Sequence, residues 1–242
     1  MFRTFATYVT PACLPWAGAY AHAMATPRVL LVHGAATTSR IWDPVCDLLR
    51  DDGLDVVVPD RASSGDLTTE LDALAGLADG AVVVGVSGGA TLGLALAADR
   101  PLAGAVLHEP AVGSLVPGLL DHVVAGFTSG GVPGFGAALY GPSWTPAMAP
   151  ADPDAVARDL AMFRRFEPAP LHPGQGAVVV TVGELSPPAR HDAARALHHL
   201  LGVEVRVLPG TGHFVQHDDP EALVAVIRSV VDGAGAQPRP PG

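Results

Sequence analysis

The sequence predicts an α/β fold built on a mostly parallel, doubly wound sheet with helices on both faces and a small helical cap. Three observations point there. Apolar strand-like runs alternate with helical periodicities along most of the chain. Hydrophobic residues make up 49% of the chain and charged residues only 16%, with abundant Ala, Val, Leu and Gly, as a dense sheet under small-residue helices requires. The 242 residues suit one domain with a lid and suffice for a large core.

The elements follow in order. Residues 28–32 are a short strand ending at His33-Gly34-Ala35-Ala36, and residues 41–49 have helical spacing. The next strand is expected at 55–59 and a helix at 68–77, where Leu71, Leu74 and Leu77 lie on or near one face. An apolar strand at 81–84 leads into a turn and a helix over 90–98, and a further strand is expected at 104–107. After an insertion come a strand at 177–182, a helix at 189–201, a strand at 204–208 and a helix at 220–231.

The insertion, residues 111–176, breaks this rhythm and reads as a helical cap on a core formed by 26–110 and 177–232. One helical patch is expected at 119–127. A second begins at Asp152-Pro153, with Asp152 as N-cap, Pro153 at the first helical position, and Val156, Leu160 and Phe163 on one face. Arg164 and Arg165 would complement that helix's C-terminal dipole. Of thirteen aromatics, six (Phe127, Phe135, Tyr140, Trp144, Phe163, Phe166) fall in the insertion, whereas Trp42 and Phe214 are the two expected in the sheet domain. Together they suggest an apolar substrate pocket, with Trp42, Tyr140, Trp144, Phe163 and Phe214 as its candidate lining.

The ends carry less information. Residues 1–25 read as an N-terminal extension; Ala21-His22-Ala23 imitates a small-residue cleavage site, but the Pro-broken stretch before it suits a secretion signal poorly. A cytoplasmic location is therefore expected. Residues 233–242 are Pro/Gly-rich and read as a disordered, frayed tail. A formal charge of -10 offers no polybasic patch, so neither nucleic acid nor an anionic membrane is an expected partner, and a small-molecule substrate is. Cys13 and Cys46 have no metal-ligand spacing, and neither a metal nor a cofactor is expected. The oligomeric state is open, with a homodimer among the options.

Gly85-Val86-Ser87-Gly88-Gly89 sits where the strand at 81–84 meets the next helix. With 28 glycines in the chain, G-x-S-x-G alone is a loose pattern; strand and helix on either side make it a nucleophile elbow. The small residues permit a sharp turn that exposes Ser87, and the following helix N-terminus offers free N–H groups. A serine hydroxyl needs a base, and Gly212-His213-Phe214, between the last strand and last helix, puts an imidazole at the same sheet edge. The other histidines have surface or structural readings, including His33 as a core residue of its turn. The backbone N–H groups of Ala35 and Gly88 are candidates for an oxyanion hole.

On these motifs, His33-Gly34 with Ser39 and Trp42, the elbow, and Gly212-His213-Phe214, the chain resembles the α/β-hydrolase-fold serine hydrolases over roughly residues 27–232. That family usually begins with two further strands, for which little sequence precedes residue 28. The resemblance implies a catalytic acid three residues after Gly183, where this chain has Ser186, which cannot serve. Glu184 and Glu109 are the remaining candidates. Some family members carry the acid after the strand that follows the elbow helix, the position of Glu109, and that assignment is preferred. Asp60-Arg61 resembles a turn common in relatives and is expected to be an ion pair, and Asp218-Asp219-Pro220-Glu221 is expected to cap the last helix.

The implied activity is hydrolysis of a carboxylic ester or lactone of a moderately sized apolar substrate, with Ser87, His213 and Glu109 as triad. The same residues would serve a thioesterase, a carbon-carbon bond hydrolase or a perhydrolase, and a non-catalytic ligand-binding protein of the same fold is the rival outside enzymes. Dehalogenases of this family use an aspartate nucleophile, against which Ser87 argues.

Overall fold

The computed structural model describes residues 26–235; the expected extension at 1–25, with Cys13 and His22, any strand before residue 26, and residues 236–242 lie outside them. Six parallel strands form one sheet: β1 (Val29–Val32), β2 (Val56–Val57), β3 (Val82–Val86), β4 (Gly104–His108), β5 (Ala177–Gly183) and β6 (Glu204–Leu208), in spatial order β2-β1-β3-β4-β5-β6. The chain steps from β1 outward to β2, then returns to the other side of β1. The β1/β3 junction is therefore the switch point, where loops diverge and open a crevice at the C-terminal strand ends.

β1, β3 and β4 are buried along their whole length, so their side chains are almost all apolar on both faces. The helices are α1 (Asp43–Asp51), α2 (Leu67–Ala78), α3 (Gly88–Asp99), α4 (Asp121–Tyr140), α5 (Ala155–Phe163), α6 (Pro188–Leu201), α7 (Val215–Asp218) and α8 (Pro220–Gly235). α3 is buried from Gly88 to Ala97, which explains why it has no polar face. Asp66 caps α2 by accepting from the Thr69 N–H at 2.8 Å, and Gly202 ends α6 in the left-handed conformation. Among the described residues, no helix is long and apolar enough to cross a membrane.

Several local expectations are corrected. The strand expected at 55–59 is paired only at Val56 and Val57; Asp60 instead turns to accept the Ser39 N–H at 2.8 Å. The helix expected at 41–49 opens as a 3-10 turn, Ser39–Trp42, because Pro44 fixes where α1 begins. A short α7 separates His213 from the last helix, and α8 runs to Gly235, three residues into the expected tail. The insertion helix begins at Ala155 with Asp154, not Asp152, at the N-cap; the Asp152 carboxylate accepts the Asp154 N–H and pairs with Arg158.

The patch expected at 119–127 is half of a longer element. α4 breaks at Gly131 (φ +59°), two residues before Pro133, and its two legs cross at glycines. A Cβ on Gly134 would stand 2.1 Å from the Gly126 carbonyl oxygen, so only glycine allows this approach. The legs of α4, with α5, cover the C-terminal end of β3. Arg61 fixes α5 to the core: its buried guanidinium donates to Asp159 at 2.5 Å and to Glu70 at 3.3 Å. The expected Asp60–Arg61 pair is therefore replaced by partners on α2 and α5.

Candidate active site

Strand register assembles the site. Val86 pairs with His108 and His108 with Thr181, so the residues just past the ends of β3 and β4, Ser87 and Glu109, are neighbours on the same edge. The Ser87 N–H donates to the His108 carbonyl at 2.9 Å, and the Glu109 N–H to the Thr181 carbonyl at 3.0 Å. Both then turn out of the sheet with positive φ, +57° at Ser87 and +51° at Glu109. Left-handed backbone at non-glycine residues is strained and persists only where the surroundings enforce it.

The elbow glycines are part of that enforcement. A Cβ on Gly85 would lie 2.3 Å from the Gly89 backbone, and one on Gly89 would lie 1.9 Å from the Val32 carbonyl oxygen. Strand and helix could not come this close around any larger residue. Gly88, the first residue of α3, has an N–H without an intrahelical acceptor, and it lines a cavity together with Ser87 and Ala35.

His213 lies on the loop after β6. Its Nδ1–H donates to Glu109 Oε2 at 2.6 Å, and the Gly183 N–H donates to the other carboxylate oxygen at 2.9 Å. With Nδ1 protonated, Nε2 carries a lone pair, and this nitrogen is buried with no hydrogen-bond partner among the described residues. Burial, helped by the Arg190 guanidinium, lowers the His213 pKa to about 4 in spite of Glu109, so the imidazole is neutral at pH 7. Burial opposes ionisation of Glu109, but the hydrogen bond from His213 and the Arg190 guanidinium hold its carboxyl well below the usual range.

The other candidate acid sits elsewhere: Glu184 accepts the Gly210 N–H at 2.7 Å at an exposed position. Ser186, in the vacant acid position, is buried. His33 is a core residue whose Nδ1–H donates to the Gly34 carbonyl at 3.0 Å while Nε2 accepts the Arg61 N–H at 3.1 Å. Burial and then Arg61 lower its pKa to about 3, so it stays neutral.

His108, Glu109 and His213 offer donor atoms within 4.8 Å of one another, a grouping that could suggest a metal. The donor chemistry does not fit one. His108 Nε2 donates to the Gly212 carbonyl at 3.1 Å and so carries the proton, and Nδ1 accepts the Thr181 hydroxyl at 3.0 Å. No lone pair is left on that ring.

The cavity over Ser87 is small, about 20 Å³, and apolar; Phe135 and Leu139 of α4 and Leu160 and Phe163 of α5 form much of its wall. Beside it, a second cavity of about 270 Å³ is lined by Tyr140, His213, Phe214, Ser186 and His122, and Arg190 borders both. Two of the expected pocket aromatics are corrected. Trp42 is fully buried in the core, and Trp144 packs on Gly136 with its indole N–H donating to the Ala36 carbonyl at 2.9 Å; neither lines either cavity. Of the other three, Phe163 borders the smaller cavity, and Tyr140 and Phe214 the larger. Tyr140 also ties α4 to the loop after β1, its hydroxyl donating to the Ala35 carbonyl at 2.6 Å.

The sequence profile of the family described as "Alpha/beta hydrolase family" matches residues 29–226, most of the chain and all of these site residues. The chain belongs to the alpha/beta hydrolase family. Solved structures agree on the fold of this alpha/beta hydrolase. An enol-lactonase from Burkholderia xenovorans superposes with a TM-score of 0.63 at 18% identity, covering 86% of this chain and 92% of that one. NosK from Streptomyces actuosus gives 0.61 at 22% identity, with 86% and 99% covered, and the carboxylesterase CesB (YbfK) from Bacillus subtilis gives 0.61 at 16%, with 86% and 85% covered. At such identities the likeness concerns the fold. No relative among the curated proteins matches the sequence.

Proposed function

We propose that this alpha/beta hydrolase cleaves a carboxylic ester or lactone of a small, largely apolar substrate through a covalent acyl-enzyme on Ser87. The observation that carries the reading is the state of His213: its Nδ1–H is committed to Glu109, and its Nε2 is neutral, buried and unpartnered at the edge where the strained Ser87 emerges.

In this reading His213 Nε2 takes the Ser87 proton as Oγ attacks the carbonyl carbon. The developing oxyanion accepts hydrogen bonds from the Ala35 and Gly88 N–H groups, and the imidazolium, stabilised by Glu109, returns its proton to the departing oxygen as the C–O bond breaks. Water then attacks the acyl carbon while His213 removes its proton; the bond from the acyl carbon to Ser87 Oγ breaks, the imidazolium returns the proton to Oγ, and the acid leaves. The apolar walls over Ser87 favour a hydrocarbon portion there, and the cap contacts through Tyr140 and Arg61 exclude bulk water. The enol-lactonase and the carboxylesterase of like fold are named for the two substrate classes proposed.

A rate screen across short esters, long esters, lactones and thioesters, with the Ser87→Ala protein as blank, tests this. Turnover of an ester or lactone that disappears in Ser87→Ala is expected. No turnover in any class, or turnover that survives in Ser87→Ala, would count against it.

A further inference from the structure

Two buried side chains beside the candidate site each carry a polar atom with no hydrogen-bond partner among the described residues. Arg190 on α6 is 4% exposed; its Nη1 donates to the Glu109 carbonyl at 3.2 Å and its Nε stands 3.6 Å from the Glu109 carboxylate, but Nη2 has no acceptor among the described residues. Ser186 is 8% exposed and its Oγ is likewise unpartnered. Both line the cavity of about 270 Å³ that also touches His213. Leaving a charged donor and a hydroxyl desolvated and unpaired opposes folding, so a protein that retains them gains when something else completes them. Among the described residues, Arg190 is also the one charged residue bordering the apolar cavity over Ser87.

We propose that the cavity between α6 and the His213 loop is a carboxylate subsite, in which Arg190 Nη2 and Ser186 Oγ bind a carboxylate carried by the substrate. The inference rests on the serine-hydrolase reading and narrows it to esters or lactones with an acid group near the scissile bond. The donor chemistry favours a carboxylate: Nη2 and a hydroxyl on one cavity wall supply two donors for its two oxygens, and a guanidinium pairs with such groups by charge-assisted hydrogen bonds. Other groups facing the cavity leave room for this. Glu109 is committed to His213 and Gly183, and Asp218 pairs with His217. The vacancy of the usual acid position is what makes the subsite, since an aspartate in place of Ser186 would put a negative charge beside Arg190.

The test uses matched substrates: a half-ester of glutaric acid against the corresponding butyrate, and acetoxybenzoate against acetoxybenzamide, so that the carboxylate sits on the acyl or the alcohol side. At least one anionic member should exceed its neutral partner in kcat/KM by about tenfold or more, mainly through KM. Arg190→Gln should bring that ratio near one, and Ser186→Ala, which removes an unbonded hydroxyl, should lower it several-fold. No preference in either pair, a preference intact in both variants, or an equal fall for both members of a pair would overturn the subsite. If no ester is turned over and Ser87 resists a fluorophosphonate, it is the hydrolase reading that fails. Calorimetry of Ser87→Ala protein with glutarate then still decides the subsite: binding that weakens in the added Ser186→Ala background supports it, and no binding overturns it.

Discussion

Glu109 reaches His213 across 2.6 Å from a backbone held at φ +51°, one strand over from Ser87 at φ +57°. The two left-handed residues follow paired positions of β3 and β4, so a single register sets Ser87 and Glu109 on one edge, and the loop after β6 brings His213 to Glu109. Such strain costs of order 1–3 kcal/mol at each residue and is offset by the packing that enforces it.

The carboxylate assignment gives a contrast. Glu109→Gln retains the shape but loses the charge that orients and stabilises the imidazolium, so kcat should fall about 10³–10⁴-fold. Glu184→Gln, altering an exposed acceptor of the Gly210 N–H, should stay within about threefold of the parent. Steady-state rates of the two variants side by side check this, and the reverse order would transfer the role to Glu184.

The acid limb of the pH profile should lie unusually low. His213 is active only when neutral, and its pKa is lowered to about 4, so kcat/KM should hold down to about pH 5 and be lost as pH falls through about 4. Because Arg190 depresses this pKa, Arg190→Gln should move the limb upward; because Glu109 raises it, Glu109→Gln should move the residual limb downward. A limb near the ordinary histidine value in the parent protein would refute the assigned environment.

Much of this was legible in the sequence, for reasons that differ by residue. The strands around Val82 and Val106 read clearly because a strand buried on both faces is nearly all apolar, and the elbow because Gly85 and Gly89 are the residues that let strand and helix touch. The histidine loop is equally local. What escaped depends on distant partners. Arg61 pairs with Asp159, 98 residues away, and not with its neighbour Asp60. Phe135 and Leu139 line the cavity beside Ser87 only because α4 folds back at Gly131, and nothing in local periodicity says which way the second leg points. Trp42 and Trp144 mislead because a large ring serves a core as readily as a pocket. Arg190 gave one faint signal, its closeness in sequence to the vacant position at Ser186.

Gly89→Ala should be among the most damaging small substitutions outside the proposed triad. Its methyl would meet the Val32 carbonyl oxygen at 1.9 Å, a contact with backbone that cannot rotate away. Loss of about 3 kcal/mol or more is expected. Urea unfolding followed by circular dichroism measures it, and a loss below about 1 kcal/mol would contradict the close approach.

Asp159→Asn probes the tie between α5 and the core. Removing one carboxylate leaves the fully buried Arg61 with Glu70 as its remaining ion-pair partner, which should cost about 3–5 kcal/mol. Because Arg61 also lies over the Phe163 ring at 5.7 Å, KM for apolar substrates should rise as the cap loosens. Thermal unfolding and KM measured together would expose a variant that leaves both unchanged.

The most direct test is covalent labelling of the folded protein by a fluorophosphonate, with the modified residue mapped by mass spectrometry. The account predicts near-stoichiometric modification at Ser87, slowed by orders of magnitude in His213→Ala. Folded protein that stays unlabelled, or that is labelled elsewhere with Ser87 untouched, would contradict it.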